Sequence, residues 1–275
     1  MKMIKLFALV FFILVVGCDE TENFEENENR IPTDGLIVYY AFDGNVDDSG
    51  DSLNHCIDFS SKKYVNGISG LAKEFDGKND YLMLSKTLNS SKGLTISFWA
   101  YIKGFREGEN NGTVICKYNK WSAYRCFTVG TKDFTSDSVA RLSGNFYALP
   151  TTADYRDCAW SNITAKEDIP AKLNPEQFTI HNPTELPQNE WVHCLINVTK
   201  SRVEAWVDGI LTVSKEREYE EYFDSENEPT YIGNNLLGGV GVGNNNHFYG
   251  YLDELRVYNR DLSEKEIQIL YLNPN

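Results

Sequence analysis

The stretch His247-Phe248-Tyr249-Gly250-Tyr251-Leu252-Asp253-Glu254-Leu255-Arg256-Val257-Tyr258-Asn259-Arg260-Asp261-Leu262-Ser263, running on into Glu264-Lys265-Glu266-Ile267-Gln268-Ile269-Leu270-Tyr271, decides the fold. Leu252, Leu255 and Val257 alternate with polar neighbours as a half-buried strand should, with one slip at Asp253-Glu254. Ser263 is a good N-cap, and Glu266, three residues on, completes a capping box. Leu262 and Ile267 stand where a hydrophobic staple would stand, and Ile267, Leu270 and Tyr271 form one apolar stripe. A long strand entering a short capped helix is therefore predicted at this end.

Upstream, strand follows strand. Residues 36–42, 80–84, 93–101 and 190–198 each carry strand-like runs, and Ile96, Phe98 and Ala100 share one face. Residues 202–207 and 210–215 flank Asp208-Gly209, a strong two-residue hairpin signal. No repeat is visible, and the terminal helix is the only convincing one.

Six ordered pieces resemble the laminin-G-like domains of the concanavalin A-like lectin/glucanase superfamily. They are Phe75-Asp76-Gly77, Thr95-Ile96-Ser97-Phe98-Trp99, Trp191-Val192-His193, Val203 through Gly209, Ile232-Gly233 and the ending from Gly250 to Tyr271. The resemblance covers residues 34–273 and implies an all-β, two-sheet antiparallel jelly-roll sandwich with one short C-terminal helix. It also implies that Trp99, Trp191 and Trp206 pack inward. The chain departs from the pattern at residues 133–187, a long segment holding Pro150, Pro170, Pro175, Pro183 and Pro187. This reads as a long loop, and long loops in compact domains are often functional.

The opposite end carries an address. Lys2 and Lys5 precede the apolar residues 6–16, a run too short to span a bilayer, where about 20 apolar residues are needed. Residues 1–17 therefore read as a secretory signal peptide. Val15-Val16-Gly17-Cys18 resembles a bacterial lipobox, which implies acylation of Cys18; the alternative is an ordinary signal peptide with a chance cysteine. Residues 18–33 are largely acidic and amide, unable to bury enough apolar surface to fold, and are expected to be a flexible tether. Their composition resembles the export signals of Bacteroidetes surface lipoproteins, implying an outer-membrane lipoprotein facing the exterior. The alternative is that Asp19 directs retention at an inner membrane.

The leader removed, about 240 residues suit one large all-β domain. The net charge of −14 becomes two units more negative once Lys2 and Lys5 leave, which disfavours nucleic acid and anionic lipid. Membrane contact is expected through the Cys18 lipid alone. Apart from Cys18, five cysteines stand in the chain, an odd number. Cys116 and Cys126 are symmetric about Trp121, and a hairpin turning there would oppose them within disulfide range; the alternative is two small core residues. Cys158–Cys194 has no support from spacing.

Four constellations bear on function. Asp43-Gly44-Asn45-Val46-Asp47-Asp48-Ser49-Gly50 gathers oxygen donors of the kind calcium takes. The resemblance implies a structural calcium held by Asp43, Asn45, Asp48 and Asp253, against turn-capping by Asp43 and Asp48. Loop aromatics Trp121, Tyr124, Tyr155 and Trp160 could stack a sugar or, alternatively, pack in the core. Paired glycosidase carboxylates are not evident, and the run at Glu216, Glu218, Glu220 and Glu221 reads as a solvated strand end. The Gly/Asn-rich residues 234–246 lack the Lys-Ser/Thr of a phosphate loop. The expectation is thus a lipid-anchored, surface-exposed lectin-like module binding carbohydrate without catalysis, calcium supporting its rim. Two alternatives are a protein-binding adhesion module of the laminin-G type, with a cell-surface protein as partner, and an uncharacterised glycoside hydrolase.

Overall fold

A computed structural model describes residues 30–88, 93–118, 125–133, 136–148, 176–216, 228–234 and 246–275. Alternation of apolar and polar side chains makes their regular elements, one helix apart, strands. In chain order these are β1 (Leu36–Tyr40), β2 (Cys56–Asp58), β3 (Tyr64–Asn66), β4 (Leu71–Asp76), β5 (Leu82–Leu84), β6 (Leu94–Ile102), β7 (Asn111–Tyr118) and β8 (Arg125–Lys132). There follow β9 (Arg141–Ala148), β10 (Glu176–Glu185), β11 (Trp191–Val198), β12 (Arg202–Val207), β13 (Ile210–Glu216), β14 (Thr230–Ile232), β15 (Tyr249–Tyr258) and one helix, α1 (Glu264–Leu272). All of them lie in the compact unit Ile31–Asn275.

The strands form two antiparallel sheets. One runs β13-β12-β11-β6-β15-β4-β3, with β1 also paired to β15; the other runs β10-β9-β8-β7-β14-β5-β2. The inward residues of β6, namely Leu94, Ile96, Phe98, Ala100 and Ile102, meet Ile115, Phe127, Val129 and Ile232 of the second sheet in one buried core. Two facing sheets with side chains interdigitating between them are a β-sandwich. The slip in β15 is a bulge: the register to β6 shifts between Asp253 and Arg256, and Glu254 takes φ 52°. One extra residue lets Leu252 and Leu255 both point into the core despite their odd spacing.

Helix α1 covers part of the outer face of the eight-stranded sheet. Ser263 accepts from the Glu266 backbone N–H while the Glu266 side chain reaches back to Ser263 N, so the capping box is formed. Leu262, Ile267 and Leu270 pack with Leu195, Trp206 and Tyr258 in a second buried cluster. Asp208 and Gly209 take φ 48° and 72°, as a type I′ turn requires, and join β12 to β13.

Three expectations are corrected. Trp99 and Trp206 are buried, but on the outer face beneath α1 rather than between the sheets; Trp191 is partly exposed on that outer face. Strand parity is the reason: Val192, Cys194, Ala205 and Val207 take the inward positions. The long segment 133–187 is not one loop, because its ends form β9 and β10, paired from Glu176↔Ala148 to Glu185↔Arg141. Pro183 is tolerated since β10 is an edge strand and its register breaks between His181 and Glu185. Finally, Cys116 is a buried free thiol aimed at the Asn234 carbonyl, and the bridge to Cys126 is not formed. A bulge in the β7–β8 register sets Cys116 opposite Thr128 and passes over Cys126. Cys194 is likewise free and buried.

Candidate functional site

The half of the outer face that α1 leaves uncovered carries a cross-strand row. Glu74 on β4 pairs with Tyr251 on β15, Tyr251 with Tyr101 on β6, and Tyr101 with Trp191 on β11. Side chains in one row of a sheet share a face. All four are partly exposed. The rings form a triangle, with centroids 5.0 Å apart for Tyr101–Tyr251, 5.8 Å for Tyr101–Trp191 and 6.4 Å for Trp191–Tyr251.

A second row borders it. Tyr249 sits opposite Asp76, and Lys103 N donates to the Tyr249 carbonyl. The Lys103 ammonium lies 4.2 Å from the Tyr251 ring centroid and 2.9 Å from Glu74 Oε1. Burial alone would lower the Lys103 pKa, but hydrogen bonds to Tyr251 and Glu74 raise it, so it stays charged. The Arg106 guanidinium stacks 3.8 Å from the Tyr249 centroid and donates Nε and Nη2 to the Asp76 carbonyl. Ring faces flanked by fixed cations and by a carboxylate can hold a small polar ring by stacking and hydrogen bonding.

Strand parity could have revealed these residues. Leu252 faces inward, so Tyr251 and Tyr249 face outward; the same holds for Tyr101 beside Ala100 and Ile102, and for Trp191 beside Val192. The loop candidates Trp121, Tyr124, Tyr155 and Trp160, and the anchor Cys18, lie outside the described residues.

The four candidate calcium ligands part company. Asp253 is buried at the bulge; its Oδ2 accepts from Ile68 and Ser69 N–H and its Oδ1 from Glu254 N–H. Burial, with Glu254 adjacent, pushes its pKa up to about 7 against those bonds. Asp43 reaches the other end of the same turn, its Oδ1 accepting from Leu71 N at 2.7 Å. The turn between β3 and β4 is thus clasped by carboxylates from the first and last strand regions. Asp48 is used differently: it accepts from Tyr39, Gly50 and Asn54 N–H and from the Ser52 hydroxyl, and these bonds lower its pKa despite burial. Asn45 Oδ1 accepts from Asp47 N within its own turn. Asp43 and Asp253 hold the turn through backbone N–H groups, and Asp48 and Asn45 serve as turn caps. Among the described residues no three His, Cys, Asp or Glu side chains are placed to hold a metal ion.

A family model described as "Concanavalin A-like lectin/glucanases superfamily", of the laminin-G type, matches residues 167–268. The fold is a concanavalin A-like jelly roll. Solved structures agree on it: domain 4 of AbnA, a GH43 extracellular arabinanase from Geobacillus stearothermophilus in complex with arabinotriose, superposes with TM-score 0.58 at 16% identity, covering 86% of this chain and 98% of that one. The binding domain of Paraclostridial Mosquitocidal Protein 1 gives TM-score 0.60 at 14% identity, over 86% of this chain and 52% of the other. The Botulinum Neurotoxin Type G receptor binding domain gives 0.52 at 13%, over 86% and 51%. This chain therefore spans about half the length of both toxin domains. No curated protein matches it.

Proposed function

We propose that this protein is an exported, lipid-anchored, outward-facing module that binds carbohydrate without transforming it. The observation that carries the reading is the open triangle of Trp191, Tyr101 and Tyr251 on a rigid sheet face. Large rings are normally buried, and a cluster left open in register suits stacking against the C–H face of a sugar. Support comes from the similarity to an arabinanase domain in complex with arabinotriose and to a toxin binding domain. Calcium clasping Asp43 and Asp253 would tie the first and last strand regions together, a supporting role away from the rings.

The test is a glycan array with the full chain, followed by titration of any hit. Trp191→Ala is expected to lower affinity by roughly two- to twelvefold, the stacking contribution of one ring being ~0.5–1.5 kcal/mol, with little change in melting temperature. Unchanged affinity in that variant would remove the platform from the reading. Anchoring at Cys18 is checked by fatty-acid labelling in a bacterial host, where Cys18→Ser should lose the label.

One observation favours protein adhesion as a second reading. Ile57 and Phe59, on or beside the edge strand β2, are 45% and 46% exposed, with Leu53 at 62% nearby in sequence. Clustered exposed apolar side chains mark protein contacts more often than sugar contacts. Silence on the array with capture of a protein lost in Phe59→Ser would favour it.

A further inference from the structure

We infer that the sugar taken by this platform carries a carboxylate, as a uronic acid residue does; the inference rests on the glycan reading above. The cations are its ground. Lys103 and Arg106 stand over Tyr251 and Tyr249, at the edge of the ring triangle. Arg106 is held by a neutral acceptor, the Asp76 carbonyl, through Nε and Nη2. The Asp76 carboxylate is turned away to accept from Lys78 and Asn79 N–H. Arg106 thus keeps its charge uncancelled by that contact and fixed in direction.

The adjoining turn adds to this. Gly77, at φ 70°, has no room for a Cβ because Tyr249 and Arg106 lie against it, so the turn bearing exposed Lys78 borders the platform. Against Lys78, Lys103 and Arg106 stand Asp76, whose carboxylate lies in the Lys78 turn, Glu74, which pairs with Lys103, and exposed Glu107. The three cations and three carboxylates balance, and among them Arg106 is the cation bonded to a neutral acceptor, the Asp76 carbonyl. Screening at physiological salt reaches about 8 Å, so charges elsewhere on the chain weigh little against cations in contact. A pyranose seated on Trp191 and Tyr101 presents its ring substituents toward Tyr249, where a carboxylate meets guanidinium geometry that favours it.

The experiment is calorimetric titration of the full chain with oligomers of galacturonate, glucuronate and mannuronate, each beside its carboxyl-reduced neutral counterpart. At least one uronate should bind roughly tenfold tighter than its reduced form, in line with a hydrogen bond to a charged group. Arg106→Gln should erase most of that difference by weakening the uronate more than its reduced form. Trp191→Ala should weaken both forms. Equal binding of charged and reduced oligomers, or a preference indifferent to Arg106→Gln, overturns the charge requirement and leaves the glycan reading standing. No binding of either form overturns both. Circular dichroism of Arg106→Gln and Lys103→Gln separates lost affinity from lost fold.

Discussion

Gly67 and Gly70 have no space for a side chain, and the atoms that fill it are the carboxylates of Asp253 and Asp43. A Cβ on Gly67 would fall onto Asp253 Oδ2 and close to the Ser69 carbonyl; one on Gly70, at φ 54°, would fall onto Asp43 Oδ1. The neighbours cannot yield cheaply, because Asp253 is fixed by N–H bonds from Ile68 and Ser69. Gly67→Ala is therefore expected to destabilise the fold by about 1–3 kcal/mol, the cost of disturbing a buried polar group's partners. Urea unfolding measures it; a midpoint equal to the parent's would mean that the carboxylate is not bound to that turn. Such close approach is invisible in sequence, where Gly67 and Asp253 are far apart.

At the scale of the element, α1 rests on a titratable floor. His193 lies beneath it, its ring 5.3 Å from Trp99 and 6.0 Å from Tyr271, with Nε2 and Ser97 Oγ 2.9 Å apart. Burial, aided by Arg256, lowers its pKa from 6.5 to about 3. Below pH 6.5 the unfolded chain binds a proton that the folded one refuses, so this group makes stability rise with pH from about 3 to 6.5. Asp253 acts oppositely: its folded pKa of about 7 exceeds 3.8, so the folded state holds the extra proton and stability falls as pH rises from 3.8 to about 7. Relative to the parent, His193→Gln should show stability that declines more with rising pH, and Asp253→Asn stability that climbs more. Denaturant midpoints at several pH values decide this, and slopes parallel to the parent's in both variants would refute it. What the sequence makes legible here is what local chemistry dictates. Ser263 and Glu266 cap α1, Asp208-Gly209 turns a hairpin, and the Asp253-Glu254 slip is a bulge. The pairing of β9 with β10 is masked by proline composition, because only sheet position shows that Pro183 sits at an edge. The platform is masked differently: Trp191 reads as core until the parity of its strand is known.

For the whole molecule, the clasp on the β3–β4 turn joins regions at opposite ends of the chain, since Asp43 follows β1 and Asp253 lies in β15. Closing so long a loop with a cation stabilises the folded state by mass action: a ligand at 1,000 times its Kd contributes about 4 kcal/mol. Calcium should therefore raise the melting temperature over chelator. The ligand assignment makes the experiment selective. Asp43→Asn and Asp253→Asn should each abolish most of the calcium-dependent shift, because each removes a charged oxygen donor. Asp48→Asn should lower the melting temperature in both conditions yet keep the shift, because Asp48 caps its own turn through Tyr39, Gly50 and Asn54. If Asp48→Asn also removed the shift, the cation would lie at the acidic turn after β1, and the clasp would be held by backbone hydrogen bonds alone. If calcium left the parent unmoved, the raised pKa of Asp253 would stand as the cost of a purely structural carboxylate.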